Sequence, residues 1–252
     1  MILKKWQDMP EFMQCDEIKE YYDILQTKKV SLVIKKIFDI IFALILLIIL
    51  FIPMIIISIM IKTDSKGTIF YRQERVTTYG KKFKIHKFRT MVSNADKMGT
   101  AVTTDNDSRI TKIGSKLRKL RLDELPQLID VLEGNMSFVG TRPEAIKYVE
   151  RYTNEMKATL LMPAGITSEA SIKFKDEAKL LEKYANKEIV IVGKSARTIE
   201  KIKSIDDAYV YEVLPTKMKY NLESIKNFNF FNDIKTMFRT VGAVWKIVKN
   251  RK

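Results

Sequence analysis

Hydrophobic positions are spread unevenly along the chain. Residues 40–61 carry no charged side chain at all. At 1.5 Å per residue such a helix is roughly 33 Å long, enough to cross a hydrocarbon core of about 30 Å. The alternative is a buried core helix, but helices of soluble domains usually keep a polar face over this length. Pro53 sits inside the run, where it removes a backbone hydrogen bond and predicts a kink. Lys28, Lys29, Lys35 and Lys36 precede the run and Lys62 and Lys66 follow it, so the positive-inside rule gives no orientation. A helix that enters, bends at Pro53 and leaves on the same side satisfies both observations, provided its broken backbone finds partners. The pattern divides the chain into a polar, helical lead-in (1–36), a re-entrant membrane helix (37–62) and a main domain (63–252). The lead-in is too acidic, and too far ahead of the apolar run, for a signal peptide.

Beyond the run the periodicity changes. Thr68-Ile-Phe-Tyr71 and Phe83-Lys-Ile-His-Lys-Phe88 read as short strands around a turn at Tyr79-Gly80. Residues 93–108 are polar and read as a loop. Ile110, Ile113, Leu117 and Leu120 have helical spacing, and Leu128, Val131 and Leu132 begin a second helix that Gly134 would close as a C-cap. A turn at 139–143 leads to a predicted helix over 144–161, a loop over 162–168 and a helix over 178–186. Residues 189–192 suit either a strand or a helix end. Residues 233–249 predict an amphipathic helix with Ile234, Met237, Phe238, Val241, Val244, Trp245 and Val248 on one face. Two placements fit it equally: the membrane interface, or ordinary packing on the domain. The expected fold class is mixed α/β, mainly helical: a monotopic membrane protein with a Pro-broken N-terminal helix, a small β element and interfacial amphipathic helices.

Composition narrows the chemistry. The chain of 252 residues is 46% hydrophobic and 30% charged, which excludes disorder by composition. One cysteine, Cys15, excludes an internal disulfide framework, and one histidine, His86, excludes a multi-histidine zinc site. Net charge is +15, and residues 1–61 contribute none of it, because their lysines are matched by Asp and Glu. The excess suits anionic lipid, nucleic acid or phosphorylated small molecules, and does not choose among them.

Asp123-Glu124, with Pro126 close behind, is the most suggestive pair. Proline suits the first turn of a helix, whose N-terminus favours negative side chains or a bound phosphate. Paired carboxylates also suit Mg²⁺ that bridges to substrate phosphate. Taken alone, an N-cap followed by a solvated acid is the simpler reading. Arg118 and Arg121 just before the pair, Arg142 in a Gly-Thr-Arg-Pro turn, and Lys87 and Arg89 at a strand end shift that balance, since arginine forks match phosphate oxygens. Acids for metal and arginines for phosphate together describe a phosphoryl-transfer site.

These residues carry a family resemblance. Lys36-Ile-Phe-Asp39, Ile69-Phe-Tyr-Arg-Gln-Glu-Arg75, Lys87-Phe-Arg-Thr-Met91, Leu122-Asp-Glu-Leu-Pro-Gln127, Gly134-Asn-Met-Ser-Phe-Val-Gly140 and Arg142-Pro-Glu144 occur in one order. The chain thereby resembles the bacterial sugar transferases, the monotopic phosphoglycosyl transferases that initiate exopolysaccharide, capsule and O-antigen synthesis. The likeness is dense over about 35–170 and thinner beyond.

The resemblance implies a catalytic domain on the cytoplasmic face of the bacterial inner membrane. The donor would be a nucleoside-diphosphate sugar, a UDP-sugar by expectation, and the acceptor polyprenyl (undecaprenyl) phosphate. Asp123 would be the nucleophile that carries the phosphosugar, and Asp123 with Glu124 would hold Mg²⁺. Arg118 and Arg142 would bind phosphate, Lys87 and Arg89 would lie near the site, and Pro53 would break the membrane helix. Anionic membrane lipid is an expected partner, a homodimer is left open, and nucleic acid is not expected.

The chain departs from the family pattern at Ile52, Thr68, Thr77, Thr141 and Ser168-Glu169, and none of these touches the acid pair. The competing reading is a basic, membrane-anchored regulatory or scaffold protein without catalysis. It lacks a recognition-helix or RNP-like pattern and leaves Asp-Glu-Leu-Pro-Gln without a use.

Overall fold

The structure, a computed structural model, describes residues 3–95, 107–174, 177, 180–181, 188–192, 197–201 and 204–249. The lead-in is helical as expected. It contains α1 (Asp16–Thr27), whose Ile18, Tyr21, Tyr22 and Leu25 are buried. Helix α2 (Lys29–Asp64) is 36 residues, about 54 Å, and runs without interruption through Pro53. The proline ring still leaves the Ile49 carbonyl without its usual helical donor. One turn further on, Ser58 Oγ donates to the Met54 carbonyl at 2.7 Å.

A single stripe of α2 faces the rest of the protein. Leu32, Lys35, Asp39, Ala43, Ile57 and Ile61 are buried, and Leu46, Leu50 and Met54 pack against core clusters between them. The i, i+3/i+4 spacing of this stripe is what a helix needs to lay one side on a domain along its whole length. The opposite side is apolar and exposed, with Ile48 70%, Ile49 64%, Phe51 63% and Ile52 67% accessible. Large aliphatic side chains left so open are surface meant for a non-aqueous neighbour.

After α2, β1 (Phe70–Val76) and β2 (Lys82–Phe88) pair antiparallel, with Tyr71 opposite Lys87 and Arg75 opposite Phe83. The connecting turn holds Tyr79 at φ 58°. Helix α3 (Lys112–Lys119) starts at Thr111, whose hydroxyl accepts from the Gly114 amide. A 3₁₀ turn (Leu122–Glu124) joins it to α4 (Gln127–Leu132). Gly134 follows at φ 73°, the left-handed conformation expected of a helix C-cap.

Next comes β3 (Met136–Val139), which pairs in parallel with β4 (Ala164–Thr167). Between them, the helix predicted over 144–161 is in fact α5 (Ile146–Val149), α6 (Asn154–Lys157) and a 3₁₀ turn (Ala158–Leu161). The break has a local cause: the Thr153 hydroxyl caps a fresh start at α6 by accepting from the Met156 amide. Glu144, which would have begun the longer helix, gives its carbonyl to Val76 of β1.

The predicted loop over 162–168 contains β4. Gly165 reads as a loop glycine, but it is there because β3 and β4 meet so closely that a Cβ would stand 2.2 Å from the Gly140 amide nitrogen. Helix α7 (Glu169–Lys173) follows. Residues 189–192 fall in β5 (Glu188–Val192), which pairs antiparallel with β6 (Arg197–Lys201). Most of the helix predicted over 178–186, and of the loop over 93–108, lies outside the described residues. The chain ends in α8 (Ile205–Ala208), a π turn (Tyr209–Val213), α9 (Leu214–Lys226) and α10 (Phe230–Lys249).

Helix α10 is turned so that its polar side faces inward. Asp233 Oδ2 lies 2.6 Å from Lys35 Nζ on α2, and Thr240 Oγ1 lies 2.7 Å from Thr167 Oγ1 on β4. Glu169 of α7 receives Thr236 and Arg239. Met237 packs into the core, while Phe231, Phe238, Val241 and Trp245 are at least 66% accessible. Of the two placements the sequence allowed, packing on the domain is made by the polar side together with Met237, and the apolar side is left exposed. Lys35 also approaches Asp39 Oδ2 at 3.7 Å, and the Ser137 hydroxyl of β3 donates to that oxygen at 2.7 Å, so α2, α10 and β3 share one buried polar junction.

Candidate active site

The short path from α3 to α4 delivers the acid pair. Arg121, at φ 57°, occupies the left-handed region that a non-glycine residue avoids, and this reverses the chain into the Leu122–Glu124 turn. Asp123 and Glu124 are then 8% and 7% accessible. Neither forms a helix cap, so a solvated acid beside an N-cap is not what the structure contains.

Glu124 is a hub for cations. Lys87 Nζ lies 3.0 Å and Arg142 Nη2 2.9 Å from its Oε1, while Arg121 Nη1 approaches Oε2 to 3.8 Å. Lys87 comes from β2 and Arg142 from the turn after β3. Burial alone would push the Glu124 carboxyl upward, but Arg142, Lys87 and Arg121 outweigh it and hold the group ionised, well below the usual carboxylate range. In return, the Glu124 charge raises Arg142. Burial lowers Lys87, and Glu124 opposes that.

Asp123 is the opposite case. Burial first, and the neighbouring Glu124 charge second, push its carboxyl above the ordinary range; Lys87, Arg118 and Arg121 pull the other way. Its Oδ1 is buried without a hydrogen-bond partner among the described residues. Arg118 on α3 is half-buried, burial lowers it, and Asp123 is the foremost acid favouring its charge.

An unpartnered buried carboxylate oxygen is a place for a ligand. A divalent cation with oxygen ligands fits this donor set, because Asp123 Oδ1 has no hydrogen-bond partner among the described residues and Glu124 Oε2 meets Arg121 Nη1 only at 3.8 Å. A second group with ligand-like spacing is His86, Asp130 and Glu133. There, Asp130 is already engaged by the His86 amide and by His86 Nδ1, each at 2.8 Å, so the pair fastens β2 to α4.

Of the residues singled out by sequence, Lys87, Arg118, Asp123, Glu124 and Arg142 converge. Arg89 does not join them. Its Nη2 donates to the Ser65 carbonyl at 2.6 Å and to Ser65 Oγ at 2.9 Å, which caps the C-terminal end of α2. Pro53 lies within α2, one residue before Met54, which packs in the cluster that also holds Leu122 and Leu125 on either side of the dyad. Sequence reasoning passed over two contributors, Arg121 as a backbone device and Arg75 on the inward side of β1. The half-buried alternation of Tyr71, Gln73 and Arg75 is the period-2 signal that could have exposed the second.

A buried acid pair whose carboxyls are shifted in opposite directions, ringed by arginines and a lysine and carried beside an apolar helix, has the make-up of a phosphoryl-transfer site. The chain belongs to the bacterial sugar transferase family, whose model matches residues 30–247. It is 34% identical over 217 residues to the UDP-glucose:undecaprenyl-phosphate glucose-1-phosphate transferase of Escherichia coli strain K12, covering 84% of this chain and 40% of that one. It is 31% identical over 214 residues to the UDP-N-acetylgalactosamine-undecaprenyl-phosphate N-acetylgalactosaminephosphotransferase of Aeromonas hydrophila, covering 84% and 43%. The chain thus spans less than half the length of these two relatives. Against the uncharacterized sugar transferase EpsL of Bacillus subtilis strain 168 it is 30% identical over 213 residues, 84% of this chain and 88% of that protein.

Proposed function

We propose that this protein transfers a sugar 1-phosphate from a UDP-sugar to a polyprenyl phosphate, the first membrane step of a polysaccharide or glycoconjugate pathway. The observation that carries the reading is the buried, unpartnered Asp123 Oδ1 beside a Glu124 whose charge is already neutralised. In the first step a carboxylate oxygen of Asp123 attacks the β-phosphorus. The bond from that phosphorus to the bridging oxygen breaks, and uridine monophosphate leaves with the electron pair. In the second step a phosphate oxygen of the polyprenyl phosphate attacks the same phosphorus, the Asp123 oxygen–phosphorus bond breaks, and the carboxylate is regenerated.

Anion attack on an anionic phosphate is slow unless charge is offset at the site. Arg118, whose charge Asp123 favours, would do this. Lys87 and Arg142, held on Glu124, set the positive field and can lean toward substrate oxygens. Bound Mg²⁺, held by Asp123 and Glu124, would supply further neutralisation of the diphosphate. The raised Asp123 carboxyl is a stronger base than an ordinary aspartate, which favours it as nucleophile once ionised.

Helix α2 supports a monotopic placement on the cytoplasmic face. Its inner stripe is packed on the domain from Leu32 to Ile61, so both ends stay with the same domain while its outer side and that of α10 meet lipid. Single cysteines at Val30 and Lys66 in a Cys15→Ser background, labelled in intact cells, test this; labelling from opposite faces rejects it.

The reaction is tested with purified wild type and Asp123→Ala, a panel of UDP-sugars, Mg²⁺ and undecaprenyl phosphate. Uridine monophosphate should appear with wild type alone. Acid-quenched wild type, given donor without acceptor, should gain the mass of one phosphosugar on the peptide containing Asp123. Equal nucleotide release by the variant would remove Asp123 from the mechanism.

A further inference from the structure

Arg75 is a half-buried arginine without an assigned task. Strand β1 alternates, with Phe70, Arg72 and Glu74 exposed and Tyr71, Gln73 and Arg75 partly buried. Register sets Tyr71 opposite Lys87, the residue that reaches Glu124, so Arg75 shares the side of the sheet that serves the site. Its neighbour Val76 donates to the Glu144 carbonyl at 3.1 Å, which ties this end of β1 to the Arg142-Pro-Glu144 turn. Arg75 Nη2 donates to Gln73 Oε1, two residues back on the same side.

What Arg75 lacks is a carboxylate. Among the described residues it forms no ion pair, whereas Lys87, Arg121 and Arg142 all share Glu124. The acid with most influence on it, Glu144, is engaged by the Tyr209 hydroxyl at 2.5 Å and by Lys217 Nζ at 3.7 Å. Burial lowers the Arg75 guanidinium, and the positive charge of Arg142 adds to that. An arginine kept charged, desolvated and unpaired next to another arginine is unfavourable until an anion arrives. A fork held in place by Gln73 is also pre-organised for a planar pair of phosphate oxygens.

We propose that Arg75, positioned by Gln73, binds the α-phosphate of the nucleoside-diphosphate donor, the phosphate that departs with the nucleoside. This rests on the reading of Asp123 as the attacking group. Asp123 is the acid that acts most on Arg118, so Arg118 suits the transferred phosphate; the charges that act most on Arg75 are Glu144 and Arg142 rather than the acid pair, so Arg75 suits the phosphate further from Asp123. The role separates the two steps of the reaction: Arg75 serves donor binding and nucleotide release, and has no part once the nucleotide has gone.

The test compares wild type, Arg75→Gln and Arg75→Lys in full-length protein in detergent or nanodiscs. Uridine monophosphate binding is measured directly by calorimetry, alongside donor KM, acceptor KM and the rate at which acceptor discharges a preformed Asp123 adduct. Arg75→Gln should weaken nucleotide binding and raise donor KM by about ten- to hundredfold, the range for a lost hydrogen bond to a charged group. Arg75→Lys should recover part of each, because it keeps charge and loses the fork. Acceptor KM and adduct discharge should match wild type. Unchanged nucleotide binding in Arg75→Gln overturns the assignment, as does an equal slowing of adduct discharge. A fall in thermal stability with unchanged nucleotide binding in the better-folded Arg75→Lys also overturns it, by making the residue structural. Nucleotide binding is read without turnover, so a failure of the covalent Asp123 mechanism would appear separately, as wild type that binds nucleotide and forms no adduct.

Discussion

Arg142 Nη2 stands 2.9 Å from Glu124 Oε1, an oxygen it shares with Lys87. Glu124 is therefore a fixed anion that organises cations, and its removal leaves positive charges facing one another in a largely buried place. Glu124→Gln should destabilise the protein by about 3 kcal/mol, the usual loss when one partner of a buried ion pair is removed, and less to the extent that Arg142 and Arg121 reach solvent. Thermal unfolding in detergent checks this; a variant as stable as wild type would show that the hub is not structural.

Asp123→Asn should act in the other direction. The native Asp123 carboxyl is raised by burial and by Glu124, so ionising it costs the folded state more than the unfolded chain. That penalty is absent below the unfolded value of about 4 and complete above the raised folded value. In buffer containing EDTA, Asp123→Asn should be more stable than wild type by roughly 0.5–2 kcal/mol at neutral pH, with the gap closing as pH falls. A gap that widens on acidification would reverse the sign and refute the argument. Activity should be lost at every pH.

Lys35 joins α2 to α10 through Asp233 at 2.6 Å and also faces Asp39 at 3.7 Å. Lys35→Ala strands a buried acid, Asp39, and a half-buried one, Asp233, and should cost about 3 kcal/mol. Hydrogen exchange should locate the loosening in α10 and the first turns of α2. Protection confined to wild-type levels in α10 would show that its threonine and Glu169 contacts suffice.

Gly165→Ala places a Cβ 2.2–2.6 Å from three backbone atoms of Gly140, none of which can swing away. The parallel β3–β4 pair must separate, at about 1–3 kcal/mol or more. Because β3 leads directly to Arg142, activity should fall further than stability. Equal melting temperatures for variant and wild type would contradict the close approach.

Phe238 and Trp245 are 74% and 70% accessible on the outer side of α10. Phe238→Ser combined with Trp245→Ser should leave folding within about 0.5 kcal/mol, as for surface substitutions generally. Flotation with vesicles containing anionic phospholipid should show weaker association. Unaltered flotation would assign membrane attachment to α2 alone.

Much of this architecture was legible because its cause is local. The uncharged run at 40–61, the alternation in β2 and the glycine after α4 each announce an element through their own residues. The acid pair was legible as chemistry, but its division of labour was not. Glu124 becomes the neutralised partner only because β2 and the β3 turn bring Lys87 and Arg142 from 37 and 18 residues away. Arg89 looked like part of the same cluster, yet the end of α2 arrives beside it and takes its Nη2, while Nε and Nη1 have no hydrogen-bond partner among the described residues. Strands β3 and β4 went unread because four residues are too few for alternation to show. The orientation of α10 was also beyond the sequence: its pattern told which residues share a side, and only Lys35, Thr167 and Glu169 decide that the polar side turns inward. Thr77 illustrates the same limit. It stands where the family often has glycine, and in the structure it donates to the Asn135 carbonyl and accepts from the Ala164 amide, a bridge invisible until both strands are in place.

The outward apolar sides of α2 and α10 change what counts as the folded molecule. In an aqueous protein such side chains would be enclosed by another layer of chain; among the described residues none covers them here. On the monotopic reading proposed above, the bilayer would complete the core from outside, as a wall assembled from small, exchangeable molecules. A change in acyl-chain length or packing then acts on this protein as a core substitution would, altering the support beneath α4 and the turn that holds Asp123 without any change in its sequence.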